Sequence, residues 1–287
     1  MKLITDKRLF IIDSFIYIYK YYYYYYKYYK KNSILIGFIN FIINILIKQQ
    51  PTYIIVIFDG KIKKNYKKKY YINYKLNRKK INIDLDNYIY IIKKILKKLN
   101  IQYLMIKYIE ADDIIGSIIK KTEKKGYINY IYTEDQDYYQ LISENTLLIK
   151  KNKLIDKLYV KNKFNIKNIK QYIDLISLIG DKSDNIPGIP LIGIKTANVL
   201  LIKYKNIENI YKNIETINNI IKKKIIYYKY LVFLSKKIIK INKKINFNFV
   251  IKYRNKIFYK TINNILLKLN NYFFKKKRKL IKNYLYL

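Results

Sequence analysis

The sequence of 287 residues contains no cysteine and no histidine. These absences exclude disulfide bonds, zinc sites built from Cys or His ligands, and catalysis by an imidazole base. Any metal ion must therefore be bound by oxygen atoms, which suits Mg²⁺ and Mn²⁺. The chain also lacks an apolar run of the roughly 20 residues that a membrane span needs, and it shows no signal peptide. We expect a soluble, intracellular protein of one large domain or two small ones.

Acidic residues are scarce: 19 Asp and Glu accompany 60 Lys and Arg, and the net charge is +41. Such a charge repels itself in a compact monomer unless a polyanion offsets it, which indicates a nucleic-acid partner. The rival explanation is an AT-rich codon bias, which enriches Ile, Lys, Asn and Tyr without selection for binding. The tyrosines at 21–26 also have a functional and a neutral explanation. They could stack on bases, or they could result from drift in a tolerant surface loop, and we favour the loop.

Short apolar runs alternate with helix-like segments through the first half of the chain. Strands are predicted at 9–12, 53–58, 101–106 and 127–132, with an edge strand at 147–150. Ile and Leu at helical spacing predict helices at 34–47 and 85–99 and a further helix that follows residue 113 and ends at Gly126. This alternation predicts an α/β fold with a mostly parallel central sheet flanked by helices. An apolar helix at 172–179 and Lys-rich helices from 204 to about 274 predict a helical C-terminal region.

The scarce carboxylates cluster where the predicted strands end. Asp13 and Asp59 directly follow two strands, and Asp135 and Asp137 lie just after a third. Ligands bind beyond the carboxyl ends of parallel strands, so these four side chains should converge there. The segment EADD at 110–113 adds three carboxylates at a helix start, which is more than a helix cap needs. The sequence therefore predicts a metal site, and solvated helix caps are the alternative.

Two further stretches are distinctive in composition. Residues 61–80 carry ten Lys or Arg, interleaved tyrosines and no acid, which indicates either a surface for single-stranded nucleic acid or a solvated loop. Residues 180–197 hold two of the three prolines and three of the seven glycines, so their turns are under specific backbone demand. Gly193 precedes a helix predicted to begin near Lys195 and Thr196, whose N-terminal amides could bind a phosphate.

The order of these motifs resembles the 5′-nuclease domain of bacterial DNA polymerase I, a relative of the flap endonucleases. The resemblance covers roughly residues 8–274 and rests on IID ending at Asp13, FDGK at 58–61, YKLNR at 74–78, EADD at 110–113, TEDQD at 133–137, GDKSDNIPG at 180–188 and GIKTA at 193–197. It implies an α/β nuclease region at 1–165 with a basic helical arch at about 61–90. It also implies a helical DNA-binding region at 166–287 with a helix–turn–helix that holds duplex DNA and a basic tail. No polymerase region follows, so we expect a nuclease that stands alone.

The resemblance implies a two-metal phosphodiesterase that uses Mg²⁺, with Mn²⁺ as a substitute. Two cations about 4 Å apart can activate water and stabilise the leaving oxygen without histidine. Nine of the 19 acids would surround the ions: Asp13, Asp59, Glu110, Asp112 and Asp113 the first, directly or through water, and Asp135, Asp137, Asp181 and Asp184 the second.

The same resemblance assigns other residues to the substrate. Lys75 and Arg78 would hold the scissile phosphate, and Lys20 would be a further catalytic cation. Nucleic-acid binding is implied for Lys67, Tyr74, Gly188, Gly193, Lys195 and Thr196, the last four in a turn where the family often binds K⁺. Lys20 and Lys67 stand where the family usually has arginine, so the charge is kept but the bidentate contact is lost.

Four residues depart from the family pattern without removing a metal ligand. Ser14 replaces a glycine, Gln136 a lysine, and Leu191 and Ile194 a glycine and a glutamate in the duplex-binding turn.

We predict a Mg²⁺-dependent 5′→3′ exonuclease and flap endonuclease of replication and repair. Its substrates would be DNA with 5′ flaps, nicks or RNA primers. We expect a monomer in the bacterial cytoplasm, associated with the nucleoid, that works with a separate DNA polymerase. The alternatives are a catalytically decayed nucleic-acid-binding relict and a ribonuclease of the same sheet type.

Overall fold

A six-stranded sheet lies at the centre of the N-terminal half, in a computed structural model that describes residues 7–29, 33–60, 66–77, 84–254, 261–262 and 264–265. The strands are β1 (Arg8–Asp13), β2 (Tyr53–Phe58), β3 (Gln102–Met105), β4 (Ile128–Tyr132), β5 (Thr146–Lys150) and β6 (Lys153–Ile155). They lie in the order β3-β2-β1-β4-β5-β6. The first five pair in parallel, and β6 pairs antiparallel with β5. The predicted α/β fold with a mostly parallel sheet is confirmed.

Helices cover both faces of the sheet. One face carries α1 (Ser14–Tyr29), α2 (Ser33–Gln49) and α4 (Leu85–Lys98), while α5 (Ala111–Glu123) covers the other. Successive residues of β1 accordingly belong to two different cores: Ile11 packs with α5, and Phe10 and Ile12 pack with α2. Strands buried on both faces read as continuous apolar runs, which explains why β1 and β2 were predictable from the sequence.

The tyrosine tract at 21–26 lies within α1, so the prediction of a surface loop is wrong. Tyr17 and Tyr21, one helical turn apart, both contact the ring of Phe41 in α2, at centroid distances of 4.1 and 6.0 Å. Gly37 permits this approach, because a Cβ there would overlap the Tyr21 side chain. Tyr23 and Tyr24 remain exposed. Packing of the inner tyrosines against α2 therefore fixes the helix, which composition alone did not indicate.

The edge of the sheet also differs from the prediction. β5 pairs with both β4 and β6, so it is an internal strand, and β6 forms the edge. A three-residue strand with one buried side chain, Ile155, carries too little alternation to be recognised in the sequence.

The C-terminal region is helical up to residue 239. It contains α6 (Lys157–Phe164), α7 (Gln171–Ile179), α8 (Ile194–Tyr204), α9 (Ile207–Lys212), α10 (Asn219–Tyr227) and α11 (Lys229–Ile239). The predicted helix at 172–179 is α7, and the helix expected near Lys195 is α8. No helix among the described residues combines the length and apolar character needed to cross a membrane.

Residues 242–254, here called the strap, contain a turn at 243–244 and otherwise form neither helix nor strand, so the prediction of a helix here is wrong. They return along the sheet: the Gln102 side chain donates to the Val250 carbonyl at 2.9 Å and accepts the Lys252 amide at 3.2 Å. The Arg254 amide donates to the Thr52 carbonyl at 3.0 Å. The strap therefore fastens the C-terminal region to the β2–β3 side of the sheet. The predicted basic tail lies outside the described residues.

The predicted arch at 61–90 is described in two parts. Residues 66–70 form the short helix α3 (Tyr66–Tyr70), residues 71–77 follow as turns, and α4 begins after Asp84. Residues 61–65 and 78–83, and with them Arg78, lie outside the described residues.

Candidate active site

A cavity of about 530 Å³ opens at the carboxyl ends of β1 and β2. Because these strands are parallel neighbours, with Asp13 in register with Ile57, the acids that end them lie at one edge of the sheet. The cavity lining includes Lys75 and seven acids, Asp13, Asp59, Asp86, Glu110, Asp112, Asp135 and Asp137. The convergence predicted for the four strand-end acids is confirmed.

Two acids at the strand ends are held by neighbouring donors. Asp13 is buried and accepts the Thr133 hydroxyl at 3.0 Å, and Asp59 accepts the amide of Ala111, the first residue of α5, at 2.6 Å. Burial, together with repulsion from Asp59 and Asp135, raises the pKa of Asp13 well above its ordinary value. Burial likewise raises the pKa of Asp59 to about 6. A cation among these carboxylates would relieve the repulsion.

Glu110 behaves in the opposite way because two lysines surround it. The Lys75 ammonium lies 2.6 Å from its Oε1 and the Lys67 ammonium 2.9 Å from its Oε2. Burial opposes ionisation of Glu110, but Lys75 and Lys67 outweigh it and lower its pKa to about 2. Glu110 is therefore charged at neutral pH.

A second group of acids borders the cavity. One carboxylate oxygen each of Asp137, Asp181 and Asp184 lies within 4.8 Å of the other two, which is close enough to hold one metal ion. Asp137 begins the 3₁₀ turn after β4, and its amide donates to Asp135 Oδ1 at 3.0 Å. Burial and repulsion from Asp135, Asp184 and Asp181 raise the pKa of Asp137 well above its ordinary value.

The turn that carries Asp181 and Asp184 depends on two glycines. Gly180 has φ +80°, a left-handed conformation that suits glycine. A Cβ on Gly188 would overlap the backbone of Ile179, at the end of α7. The fold itself therefore requires a residue without a Cβ at Gly188, which was predicted to bind nucleic acid. A Cβ on Gly193, in contrast, would meet no atom within 4 Å.

Lys75 lies between the two groups of acids. Its ammonium is 3.7 Å from Asp184 Oδ2 in addition to its contact with Glu110, and its amide donates to the Asp184 carbonyl at 2.9 Å. Its φ of 58° is uncommon for a residue with a side chain, so the surrounding contacts must hold it. One of them is the Asn185 side chain, which donates to the Asn73 carbonyl at 2.8 Å. The segment 71–77 thus rests on the turn at 181–185.

Other predicted substrate-binding residues differ in exposure. Lys67 and Tyr74 are both buried, with Lys67 2.9 Å from Asp112 and the Tyr74 hydroxyl 3.4 Å from Glu110. Neither side chain lies on an open surface, which differs from the expectation for this basic segment. Lys195 is exposed and Thr196 half-buried at the start of α8. Lys20, on α1, is exposed and contacts Glu134 at 2.9 Å.

Asp113 differs from the other two acids of the EADD segment in that it does not line the cavity. Its Oδ2 accepts the Tyr66 hydroxyl at 2.9 Å, and its Oδ1 accepts the Asn242 amide at 2.7 Å. Burial and repulsion from Asp112 raise its pKa to about 6. The expectation that Asp113 surrounds a metal ion together with Asp112, directly or through water, stays a prediction.

One residue of the site was missed from the sequence. The Thr133 hydroxyl donates a hydrogen bond to Asp13, and its oxygen accepts a hydrogen bond from the Asp135 amide at 3.1 Å. It therefore orients one acid from β1 and one from the turn after β4. Its place directly ahead of the acids in TEDQD was the available signal.

Comparison with known proteins adds two family models that match in succession. The 5′-3′ exonuclease N-terminal resolvase-like domain matches residues 8–165, and the 5′-3′ exonuclease C-terminal SAM fold matches residues 167–256. A 5′-3′ exonuclease of Buchnera aphidicola subsp. Baizongia pistaciae is 42% identical over 226 residues, which are 75% of this chain and 74% of the relative. The DNA polymerase I of Caldicellulosiruptor bescii is 36% identical over 210 residues, 70% of this chain but 24% of the polymerase.

Solved structures share the fold at low sequence identity. The T5 5′-exonuclease with bound zinc ions has a TM-score of 0.69 and 17% identity, covering 97% of this chain and 99% of that one. The catalytic core of Rad2 in complex with a DNA substrate has a TM-score of 0.66 and 16% identity, covering 97% and 92%. The parallel sheet and the helical C-terminal region are thus those of a known nuclease fold.

Proposed function

This chain belongs to the 5′-3′ exonuclease family, and from that premise we propose that it is a Mg²⁺-dependent 5′→3′ exonuclease and flap endonuclease that removes RNA primers and displaced 5′ strands in replication and repair. The observation that carries the proposal is the cavity, in which acids from three strand ends and the start of α5 meet around Lys75.

The donor set fits Mg²⁺. All candidate ligands are carboxylate oxygens, which Mg²⁺ prefers, and three of them already lie within 4.8 Å of one another. Asp13, Asp59, Glu110 and Asp112 would hold one ion, and Asp135, Asp137, Asp181 and Asp184 the other. When bound, two such ions activate water and stabilise the charge on the phosphate and the leaving oxygen. Mn²⁺ offers the same coordination chemistry.

The chain's own contribution is to orient these acids and to place a fixed cation beside them. Thr133 orients Asp13, and the first amide of α5 orients Asp59. Lys75 lies in the cavity, with its backbone held by Asp184, so its ammonium can turn from Glu110 to a phosphate without moving the main chain. We assign it to the charge that develops on the scissile phosphate. Arg78 and Lys20 are proposed as additional cations.

Duplex DNA would bind at the start of α8. Gly193 is the N-cap residue of α8, Lys195 is exposed beside it, and the first helical amides are available to a phosphate oxygen. A K⁺ ion at the turn 188–193 would strengthen this contact. Leu191, 87% exposed, places an apolar side chain at the same turn, where the family has a glycine. The 5′ flaps would be supplied by a DNA polymerase that extends the neighbouring strand.

The direct test is cleavage of a 5′-labelled flap duplex by the whole chain, in Mg²⁺ or in EDTA. We expect release of the flap near its junction in Mg²⁺, no release in EDTA, and no cleavage of a matched 3′ flap. Binding without cleavage in Mg²⁺ would contradict the proposal and favour a relict. Cleavage of RNA with no cleavage of the DNA flap would favour a ribonuclease.

A further inference from the structure

Asp113 differs from Glu110 and Asp112 in the partners of its carboxylate. Glu110 and Asp112 contact the ammonium of Lys67, and both line the cavity. Asp113 has no solvent exposure, and each of its oxygens accepts a hydrogen bond from a neutral donor: the Tyr66 hydroxyl and the Asn242 amide. Both carboxylate oxygens of Asp113 are therefore hydrogen-bonded to other parts of the protein.

The two donors belong to elements that are far apart in the sequence. Tyr66 begins α3, the helix that leads to Lys75, and Asn242 begins the strap. Ser117, one turn further along α5, donates to the Asn242 carbonyl at 3.1 Å and accepts the Ile245 amide at 3.0 Å. Two successive turns of α5 therefore hold the strap, and the first of them also holds α3.

We propose that Asp113 is a positioning residue that fastens α3 and the strap to the start of α5, and that it is not a metal ligand. This inference rests on the proposed function, because it concerns how the segment that carries Lys75 is held beside the metal-binding acids. It revises the role that the family resemblance implies for Asp113. Loss of the contact would leave the metal ligands in place and release the start of the segment 66–77.

Asparagine distinguishes the two roles. In Asp113→Asn the side-chain oxygen can still accept the Asn242 amide, and the NH₂ group can donate to the Tyr66 oxygen, since a hydroxyl both donates and accepts. A positioning role therefore tolerates asparagine but not alanine, whereas a metal ligand loses its charge in either variant. Tyr66→Phe removes one half of the contact without touching an acid.

The experiment compares the whole chain with Asp113→Asn, Asp113→Ala and Tyr66→Phe, with Asp112→Asn as the matched ligand variant. Three quantities are measured: Mn²⁺ affinity by titration calorimetry, amide hydrogen exchange of the segment 66–77, and single-turnover cleavage of a 5′ flap. The first two need no catalysis, so a failure of the proposed nuclease activity would be recognised separately.

We expect Asp113→Asn to match the wild type in all three measurements within about threefold. Tyr66→Phe should exchange faster in 66–77 and cleave roughly 5–10-fold more slowly, the effect of one lost hydrogen bond, at unchanged Mn²⁺ affinity. Asp113→Ala, which loses two hydrogen bonds, should show at least as large an effect, also at unchanged Mn²⁺ affinity. Asp112→Asn should weaken Mn²⁺ binding. Weakened Mn²⁺ binding in Asp113→Asn to the extent seen for Asp112→Asn would overturn the inference. Unchanged exchange in Tyr66→Phe would also overturn it, and that conservative variant keeps the test decisive if Asp113→Ala fails to fold.

Discussion

Replacement of Lys75 by alanine should lower catalysis while leaving DNA affinity nearly unchanged. The ammonium lies 2.6 Å from Glu110 and 3.7 Å from Asp184, and the side chain is only 20% exposed, so neighbouring lysines cannot occupy its place. Loss of one positioned donor to a developing charge typically costs on the order of 10²–10³ in turnover, about 3–4 kcal/mol. We expect a fall of that size in single-turnover cleavage and a change in flap affinity below about threefold, because one phosphate contact among several is lost.

The same substitution should strengthen metal binding. A cation between Glu110 and Asp184 competes with any divalent ion for the same carboxylates. Two unit charges about 4 Å apart interact by roughly 4 kcal/mol at an effective dielectric constant near 20. Desolvation and side-chain entropy offset most of this, which leaves a gain on the order of 1 kcal/mol. Mn²⁺ affinity should therefore rise roughly fivefold in Lys75→Ala.

Rapid-quench cleavage of a 5′-labelled flap at saturating protein measures the rate, and titration calorimetry measures Mn²⁺ binding. Lys68→Ala is the matched control, because Lys68 is an exposed lysine on α3 in the same basic segment. It should change neither quantity by more than about twofold. Equal, small effects of the two substitutions on the rate, or a loss of Mn²⁺ affinity in Lys75→Ala, would refute the assigned role.

Three further outcomes are expected. Gly188→Ala should lower the free energy of unfolding by about 2 kcal/mol or more in urea titrations, because its Cβ overlaps the Ile179 backbone, while Gly193→Ala should change it by no more than about 0.5 kcal/mol. The metal-free protein should melt at a lower temperature at pH 7 than at pH 5. Folding raises the pKa of Asp59 to about 6, so the folded state binds more protons at this carboxyl than the unfolded state does. Stability therefore falls as the pH rises toward and through about 6. No histidine titrates in this window, and Mg²⁺ should abolish the trend; a higher melting temperature at pH 7 without metal would contradict it. If six phosphate contacts form, flap affinity should fall by about 10³-fold between 50 and 200 mM salt, and a flat response would mean that the +41 charge is not a binding surface.

The features that the sequence predicted best are those set by local pattern. β1 and β2 are buried on both faces, so their apolar runs identify them and place Asp13 and Asp59 at one edge of the sheet. The parallel arrangement then brings Asp135 to the same cavity without further information.

The features that were missed depend on contacts between distant parts of the chain. The strap meets α5 through Asn242 and Asp113, which are separated by 129 residues. The burial of Lys67 results from Glu110 and Asp112, which no local pattern connects to it. Tyr21, the first residue of the tyrosine tract, packs against Phe41 of α2, a contact that tyrosine content does not indicate. The surroundings of these side chains could therefore be read only from the three-dimensional structure, even where the sequence had already singled out the residue.

The central claim is that a cavity of carboxylates performs phosphodiester hydrolysis, and Asp13→Asn tests it most directly. The asparagine oxygen can still accept the Thr133 hydroxyl, so the local structure should survive the loss of charge. Single-turnover cleavage of a 5′ flap is measured in Mg²⁺, and binding of the same flap in Ca²⁺. We predict a fall in cleavage of about 10³-fold or more with flap affinity within about threefold of the wild type. Cleavage close to the wild-type rate, or a loss of binding as large as the loss of cleavage, would contradict the account.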